Sequence, residues 1–322
     1  MRKQKDEATE SIFNIVQRFL KSPPLVVWGS GATISFGLPS MRELSKALKN
    51  EIKDFDASND NLEDELSKDK YKDKLPQIKQ TIWKKVNDAD ILTLKNLIDN
   101  NTDDFNGIKL LFEKFIDPHP KVLNIVTTNY DRVLEHLLSY QGVDFTDGFN
   151  GKTLSTFDAA NFKDSNIVNL VKVHGSLNWF NVNEKVRYLP CETVNKTPKI
   201  IAPSRDKFEE TYGLPYRELI QKSDTLIGNA LSFLIVGFGF NDKHLTPRIK
   251  ANINKGIPLV LITKEISKNT FKELENAGKY ILFEEAETGE TKVIYKERGS
   301  SEQVEKVIEG DFWQLNKFME IL

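Results

Sequence analysis

Residues 232–263 read SFLIVGFGFNDKHLTPRIKANINKGIPLVLIT. Ser232–Val236 leads with Ser232 into the apolar run Phe233–Val236 and is closed by Gly237-Phe238-Gly239, which predicts a buried strand and a turn. Asn241–Asn254 then spaces apolar residues at helical intervals, and Ile257–Thr263 is a second apolar run. A strand, a helix and a strand in this order imply parallel pairing through a right-handed crossover. The near-continuous apolar character of PLVLIT fits a sheet covered on both faces.

The same alternation continues in both directions. Ser267–Gly278 reads as a helix, Tyr280–Phe283 as a strand, Thr291–Tyr295 as an edge strand and Phe312–Leu322 as a docking helix. Toward the N-terminus, Glu209–Asn229 is helical, Ile167–Val173 a strand, Tyr130–Tyr140 a helix and Val122–Thr127 a strand. The chain opens with an amphipathic helix, Glu7–Leu20, then Pro23-Pro24 and the short strand Leu25–Trp28, followed by a helix over Met41–Lys53. Asp54–Lys79 is dense in charge and poor in large apolar residues, so a solvated helical excursion or loop is expected there. Ile91–Ile98 and Phe105–Ile116 read as amphipathic helices. The expected architecture is α/β: a Rossmann-like, doubly wound parallel sheet over 1–54 and 121–322, with a helical lobe inserted at 55–120.

Composition narrows the function. The chain of 322 residues carries 45 Lys and Arg against 47 Asp and Glu, a net charge of −2, with a pI near 6.2. That balance argues against a dedicated electrostatic nucleic-acid binder. The single cysteine, Cys191, excludes an intrachain disulfide and a zinc module built from four Cys of this chain. It points to a reducing compartment. MRKQKDEATE has no apolar stretch behind its basic residues, so no secretory signal is expected. No apolar run approaches the length of a membrane span. A cytoplasmic protein is expected, with no direct nucleic-acid or membrane partner.

In a doubly wound sheet, ligands bind beyond the carboxyl ends of the strands. Four such ends carry distinctive residues: Gly29-Ser30-Gly31, Thr127-Thr128-Asn129-Tyr130-Asp131, His174-Gly175-Ser176 and Gly237-Phe238-Gly239-Phe240-Asn241-Asp242. Gly29-x-Gly31 after a strand allows close backbone approach to a phosphate, and the following helix start offers free N–H groups. A tight turn with no ligand explains the same residues. Ile34 stands where a dinucleotide fingerprint has its third Gly, and Gly37 comes late, which argues against an ordinary dehydrogenase. Gly151-Lys152-Thr153 is no P-loop, because Thr146 replaces the leading Gly and no strand precedes it.

The four histidines show no metal-binding spacing, so no metal is expected. His119 lies between two prolines, His136 falls within a helix, and His244 sits at a helix start. His174 ends a buried strand beside a Gly. It is either a satisfied core group or a general base. Asn129 is an Asx-turn or cap residue, or else an amide that holds a ribose hydroxyl or a water. Asp131, Asn241 and Asp242 fit helix caps or site residues equally well.

Taken together these stretches resemble the sirtuins. Gly29-Ser30-Gly31-Ala32-Thr33-Ile34-Ser35-Phe36-Gly37-Leu38-Pro39 resembles the signature in which a Gly-x-Gly turn leads to Gly-Ile-Pro. Thr127–Asp131 resembles Thr-Gln-Asn-Ile-Asp, and Val173-His174-Gly175 resembles the strand that ends in the catalytic His-Gly. Val236–Gly239 stands where that family has Gly-Thr-Ser. The departures are the missing four-cysteine zinc ribbon, Thr128 for Gln, and Ser40-Met41-Arg42 for Asp-Phe-Arg. With Thr-Thr-Asn-Tyr-Asp and Gly-Phe-x-Phe-x-Asp, the chain is more similar to bacterial sirtuin-like domains of anti-phage defence, which hydrolyse NAD⁺.

The resemblance implies an NAD⁺ glycohydrolase with NAD⁺ as substrate, working in abortive infection. It also implies a homo-oligomer and pairing with a HerA-type hexameric ATPase. It gives Asn129, His174 and Asp131 catalytic roles. Gly29, Gly31 and Thr33 would cradle the pyrophosphate, Gly237, Asn241 and Asp242 would line the far adenosine end, and Ser30, Pro39 and Gly239 would also bind the cofactor. An NAD⁺-dependent protein deacylase and a non-catalytic NAD⁺ or ADP-ribose sensor are the alternatives. A further expectation is that assembly orders the segment around 33–80.

Overall fold

The computed structural model describes residues 2–58, 62–99, 102–190, 196–203, 213–297 and 302–322. The strands are β1 (Leu25–Trp28), β2 (Val122–Thr127), β3 (Phe145–Thr146), β4 (Ile167–Lys172), β5 (Gly175–Val182), β6 (Lys185–Tyr188), β7 (Thr197–Ile200), β8 (Phe233–Val236), β9 (Leu259–Ile262), β10 (Tyr280–Glu285), β11 (Glu290–Lys296) and β12 (Val304–Glu309). The helices are α1 (Arg2–Phe19), α2 (Met41–Glu51), α3 (Leu62–Leu66), α4 (Leu75–Ile98), α5 (Asn106–Ile116), α6 (Val133–Tyr140), α7 (Tyr216–Asn229), α8 (Leu245–Ile253), α9 (Lys268–Leu274) and α10 (Leu315–Ile321).

Nine strands form one sheet in the order β12-β11-β10-β9-β8-β1-β2-β4-β3. The neighbours from β10 to β3 run parallel, and β11 and β12 close one side antiparallel. Successive side chains of a strand point to opposite faces, and here both faces are covered. Val26, Trp28, Leu234, Val236, Val260 and Ile262 enter the core shared with α1, α2, α4, α5, α6 and α10. Leu25, Val27, Phe233, Ile235, Leu259 and Leu261 enter a second core shared with α7, α8 and α9. The fold is therefore a mixed α/β, Rossmann-like sheet, parallel over most of its width. Its order reverses at β1: the chain proceeds through β2 and β4 on one side and through β8, β9 and β10 on the other.

Several sequence expectations change. Thr291–Tyr295 is not the edge, because β12 pairs outside β11; its pattern VEKVIE buries one residue, so periodicity could not find it. A separate three-stranded sheet, β6-β5-β7, follows directly on His174-Gly175, with β5 pairing antiparallel to both neighbours. Gly175 has φ +91, and a Cβ there would lie 2.1 Å from the Lys199 carbonyl oxygen, so only glycine lets β7 pass this closely. The start of the expected Glu209–Asn229 helix lies outside the described residues, and α7 begins at Tyr216.

The segment at 55–120 is helical among its described residues and shares the sheet's core. α5 packs on β2 and α10, as a covering helix of the sheet. The described residues of the charged stretch 54–79 also fold against the body. Phe55, Leu62, Leu66 and Tyr71 are buried, and so is Glu65, which accepts a hydrogen bond from the Tyr71 hydroxyl at 2.6 Å and pairs with Lys68 and Lys70. One buried carboxylate with three donors replaces the larger apolar core that the sequence lacks. Among the described residues, no helix is long and apolar enough to cross a membrane.

Candidate active site

The carboxyl ends of β1, β2, β4 and β8 meet where the strand order reverses, the place where open α/β sheets take ligands. A pocket of about 570 Å³ lies there. Ser30, Thr33, Pro39, Asn129, Asp131, His174, Gly237, Gly239, Asn241 and Asp242 all line it. Four segments far apart in sequence are thus brought to one cavity.

Thr127 builds the turn after β2. Its hydroxyl donates to the Trp28 carbonyl at 2.7 Å and accepts from the Asn129 N–H at 3.0 Å, locking the turn to β1. The Asn129 amide nitrogen donates to the Gly29 carbonyl at 3.1 Å and reaches the Thr33 hydroxyl at 3.4 Å. Its amide oxygen is buried with no protein partner. Such an acceptor carries a cost unless a ligand or water satisfies it.

Asp131 is buried, accepting from the Thr33 hydroxyl and the Val133 N–H, both at 3.3 Å. Burial pushes its carboxyl up to about 6; Lys172 opposes the rise, while Asp90 and Glu135 add to it. Lys172 is itself buried, and its ammonium donates to the Asp131 carbonyl and the Glu135 carboxylate. Behind it, Asp147 is likewise raised to about 6 by burial, and accepts from the Trp179 indole at 3.1 Å.

His174 is 5% exposed and sets its Nε2 3.0 Å from a carboxylate oxygen of Asp242, outside good hydrogen-bond alignment. The other oxygen of Asp242 caps α8, accepting from the His244 N–H at 2.9 Å and the Leu245 N–H at 2.8 Å. Asp242 is therefore the capping group and His244 a recipient of it. Asp242 sits beside His174 rather than apart from it with Asn241, as the sequence reading had it. Phe240, between them in the chain, holds φ +57, a strained conformation for a bulky residue. Its carbonyl is tied to the Asn269 amide.

Gly29 and Gly31 do not line the pocket. A Cβ on Gly29 would lie 2.4 Å from the Gly237 carbonyl oxygen, and one on Gly31 2.9 Å from it. Gly237 has φ +61 and itself abuts Ala32 N at 2.1 Å by the same measure. These glycines let the β1 and β8 turns touch, main chain to main chain. The expected approach of a phosphate over Gly29 and Gly31 is taken up by Gly237. Thr33, at 2% exposure, spends its hydroxyl on Asp131 and the Ser30 carbonyl.

Sequence reasoning missed the contribution of the helical segment: Leu62, Glu63 and Asp64 from α3 and Val86 from α4 also line the pocket, as does Lys243. No local pattern marks them. Among the described residues, no group of three or more His, Cys, Asp or Glu side chains is placed to hold a metal.

Residues 123–258 match the family model of the SIR2-like domain. That span contains β2 through α8, with Asn129, Asp131, His174, Gly237 and Asp242. Solved sirtuin structures are also similar. One, from a study of sirtuin substrate affinity, is 14% identical over 79% of this chain and 88% of that one, with a TM-score of 0.45. A Sir2 homologue in complex with NAD is 12% identical over 80% and 82%, with a TM-score of 0.42. A mutant Sir2 homologue bound to ADP-ribose is 12% identical over 76% and 82%, with a TM-score of 0.40. No curated protein matches the chain. Residues 123–258 are thus similar to a SIR2-like domain, and they lie within a mostly parallel Rossmann-like sheet.

Proposed function

We propose that the pocket binds NAD⁺ and hydrolyses its nicotinamide–ribose bond. The observation that carries this reading is the buried, unpartnered Asn129 amide oxygen in the same pocket as His174. An acceptor of that kind suits a ribose hydroxyl or an attacking water. The leaving nicotinamide departs as a neutral base, so no general acid is needed. Water adds to the anomeric carbon as the C–N bond breaks, through an oxocarbenium-like transition state. His174 takes the proton that the water, or a ribose hydroxyl, gives up, and returns it to solvent. Asp242 orients the ring. Asp131, mostly ionised at pH 7 given a value of about 6, holds Thr33 and lends negative charge near the developing cation. Ser30 and Pro39 face the diphosphate side, and Gly239 and Asn241 the adenosine side. The products are nicotinamide, ADP-ribose and a proton.

On this reading the activity depletes NAD⁺, as in the bacterial anti-phage proteins that the sequence resembles. A homo-oligomer and a HerA-type ATPase are the partners implied by that resemblance. The test is release of nicotinamide from NAD⁺ without acyl peptide, alone and with such an ATPase, beside His174→Ala. The variant is expected to lose about 100-fold or more of the rate while still binding ADP-ribose. A variant as active as the wild type would remove His174 from the mechanism. Nicotinamide released only when an acyl-lysine peptide is added would identify a deacylase.

A further inference from the structure

α4 presents residues 83, 86, 90, 93 and 97 to the interior, alternating steps of three and four. That spacing lays them along one stripe of the helix. Ordinary core stripes are apolar, but this one carries three buried polar groups: the Trp83 indole, the Asp90 carboxylate and the Thr93 hydroxyl. Each is bonded to a different pocket-forming segment, at a residue one to three positions from one that lines the pocket. Trp83 Nε1 donates to the Leu177 carbonyl at 2.8 Å, three residues past His174. Thr93 Oγ1 donates to the Phe36 carbonyl at 2.8 Å, at the end of the turn that carries Ser30 and Thr33. Asp90 accepts from the Arg132 N–H at 2.6 Å, next to Asp131, and from the Arg132 guanidinium at 2.9 and 2.7 Å and His136 Nε2 at 2.9 Å. Between these bonds, Val86 lines the pocket.

We infer that α4 is a strut for the pocket: Trp83, Asp90 and Thr93 are positioning residues that fix the His174, Asn129–Asp131 and Ser30–Thr33 segments relative to one another through one rigid helix. Asp90 is the strongest joint. It is fully buried, and although burial acts to raise its carboxyl, His136 and Arg132 outweigh that and hold it below the usual range. A carboxylate ionised in the interior requires its partners to stay in place. The three segments also meet directly: the Val173 N–H donates to the Thr127 carbonyl at 3.0 Å, the Leu177 N–H to the Tyr130 carbonyl at 3.1 Å and the Asn129 amide to the Gly29 carbonyl at 3.1 Å, while Thr33 reaches Asp131 and Asn129 only at 3.3 and 3.4 Å. α4 adds a tie from one continuous helix to all three. The stripe uses no residue that touches the interior of the pocket apart from Val86, so it sets geometry without taking part in chemistry.

The activity arm of the test rests on the hydrolase reading; the exchange arm does not. Hydrogen exchange of the ligand-free protein would be compared for wild type, Thr93→Val, Asp90→Asn and a control on the exposed face, Lys95→Ala. Loss of one neutral hydrogen bond corresponds to a rise of about two- to tenfold in local opening. For Thr93→Val that rise is expected at 33–38 and, through the helix, at 129–133 as well. Asp90→Asn should show the same pair of regions, and Lys95→Ala neither. A rise in Thr93→Val confined to 33–38 would overturn the strut, since the joints would then be independent. In the activity arm, Thr93→Val should lower kcat about tenfold or more with KM little changed, because misplacement of reacting groups costs rate rather than binding. An unchanged kcat in a wild type that is active would also overturn it. A wild type with no nicotinamide release removes the hydrolase reading and leaves the exchange result to decide the strut.

Discussion

Asp131→Asn removes a buried charge while keeping the side chain's shape. Burial lifts the Asp131 carboxyl to about 6, from an ordinary 3.8. The folded protein therefore holds this proton more tightly than the unfolded chain does. Below about pH 4 both states are protonated and the residue costs nothing. As the pH rises through 6, the folded state must ionise a group it has buried, and stability is lost. A rise of about 2 pKa units corresponds to roughly 3 kcal/mol of destabilisation at neutral pH, at 1.36 kcal/mol per unit. Against this stands the hydrogen bonding. Asp131 uses both oxygens, one for the Thr33 hydroxyl and one for the Val133 N–H, each at 3.3 Å. Asparagine has one oxygen, so one long bond is given up, at about 1 kcal/mol. The variant is expected to be about 1–2 kcal/mol more stable than wild type at pH 7.5 and about 1 kcal/mol less stable at pH 4. Urea unfolding at the two pH values, with the m-value checked for constancy, measures both differences. A difference independent of pH, or a variant less stable at pH 7.5, would refute the account of Asp131 as a charge kept in the site at the expense of stability.

Gly237→Ala puts a Cβ 2.1 Å from Ala32 N at a φ of +61, so the β1 and β8 turns must separate. A loss of about 3 kcal/mol or more is expected in chemical denaturation, from αL strain plus overpacking, with weaker ADP-ribose binding in calorimetry. Glu65→Ala removes the carboxylate that gathers Tyr71, Lys68 and Lys70. Hydrogen bonds to a charged group are worth about 1.5–3 kcal/mol each, so trypsin should cut within 68–74 far faster than in wild type, while the β-sheet core keeps its protection. Asn129→Ala leaves the Gly29 carbonyl and Thr33 without their amide donor. Nicotinamide release should fall about 100-fold, read as kcat in a fluorescence or chromatographic assay.

The strands at the centre of the sheet were legible because burial on both faces removes the need for polar positions. LVVW at 25–28 and LVLI at 259–262 could be little else. The ends of four of those strands are the candidate site, so the order of the motifs along the chain already located Asn129, Asp131, His174 and Asp242. What the sequence could not show is which groups satisfy one another. Gly29 and Gly31 look the same in sequence whether their space is used by a phosphate or by the Gly237 main chain, and folding gave it to Gly237. Asp242 reads equally as a helix cap or a ribose ligand; its two oxygens go to the cap and to His174. β6, β7 and β12 escaped notice because they are short or largely exposed, and β5 because polar Ser176 and Asn178 are among its buried residues; a β-strand is also defined by partners elsewhere in the chain. Trp83, Asp90 and Thr93 are three ordinary helix residues until the helix is docked. Composition and periodicity are local and fix which residues must be buried. Pairings across a hundred residues depend on how those buried faces are brought together, and only the tertiary structure decides them.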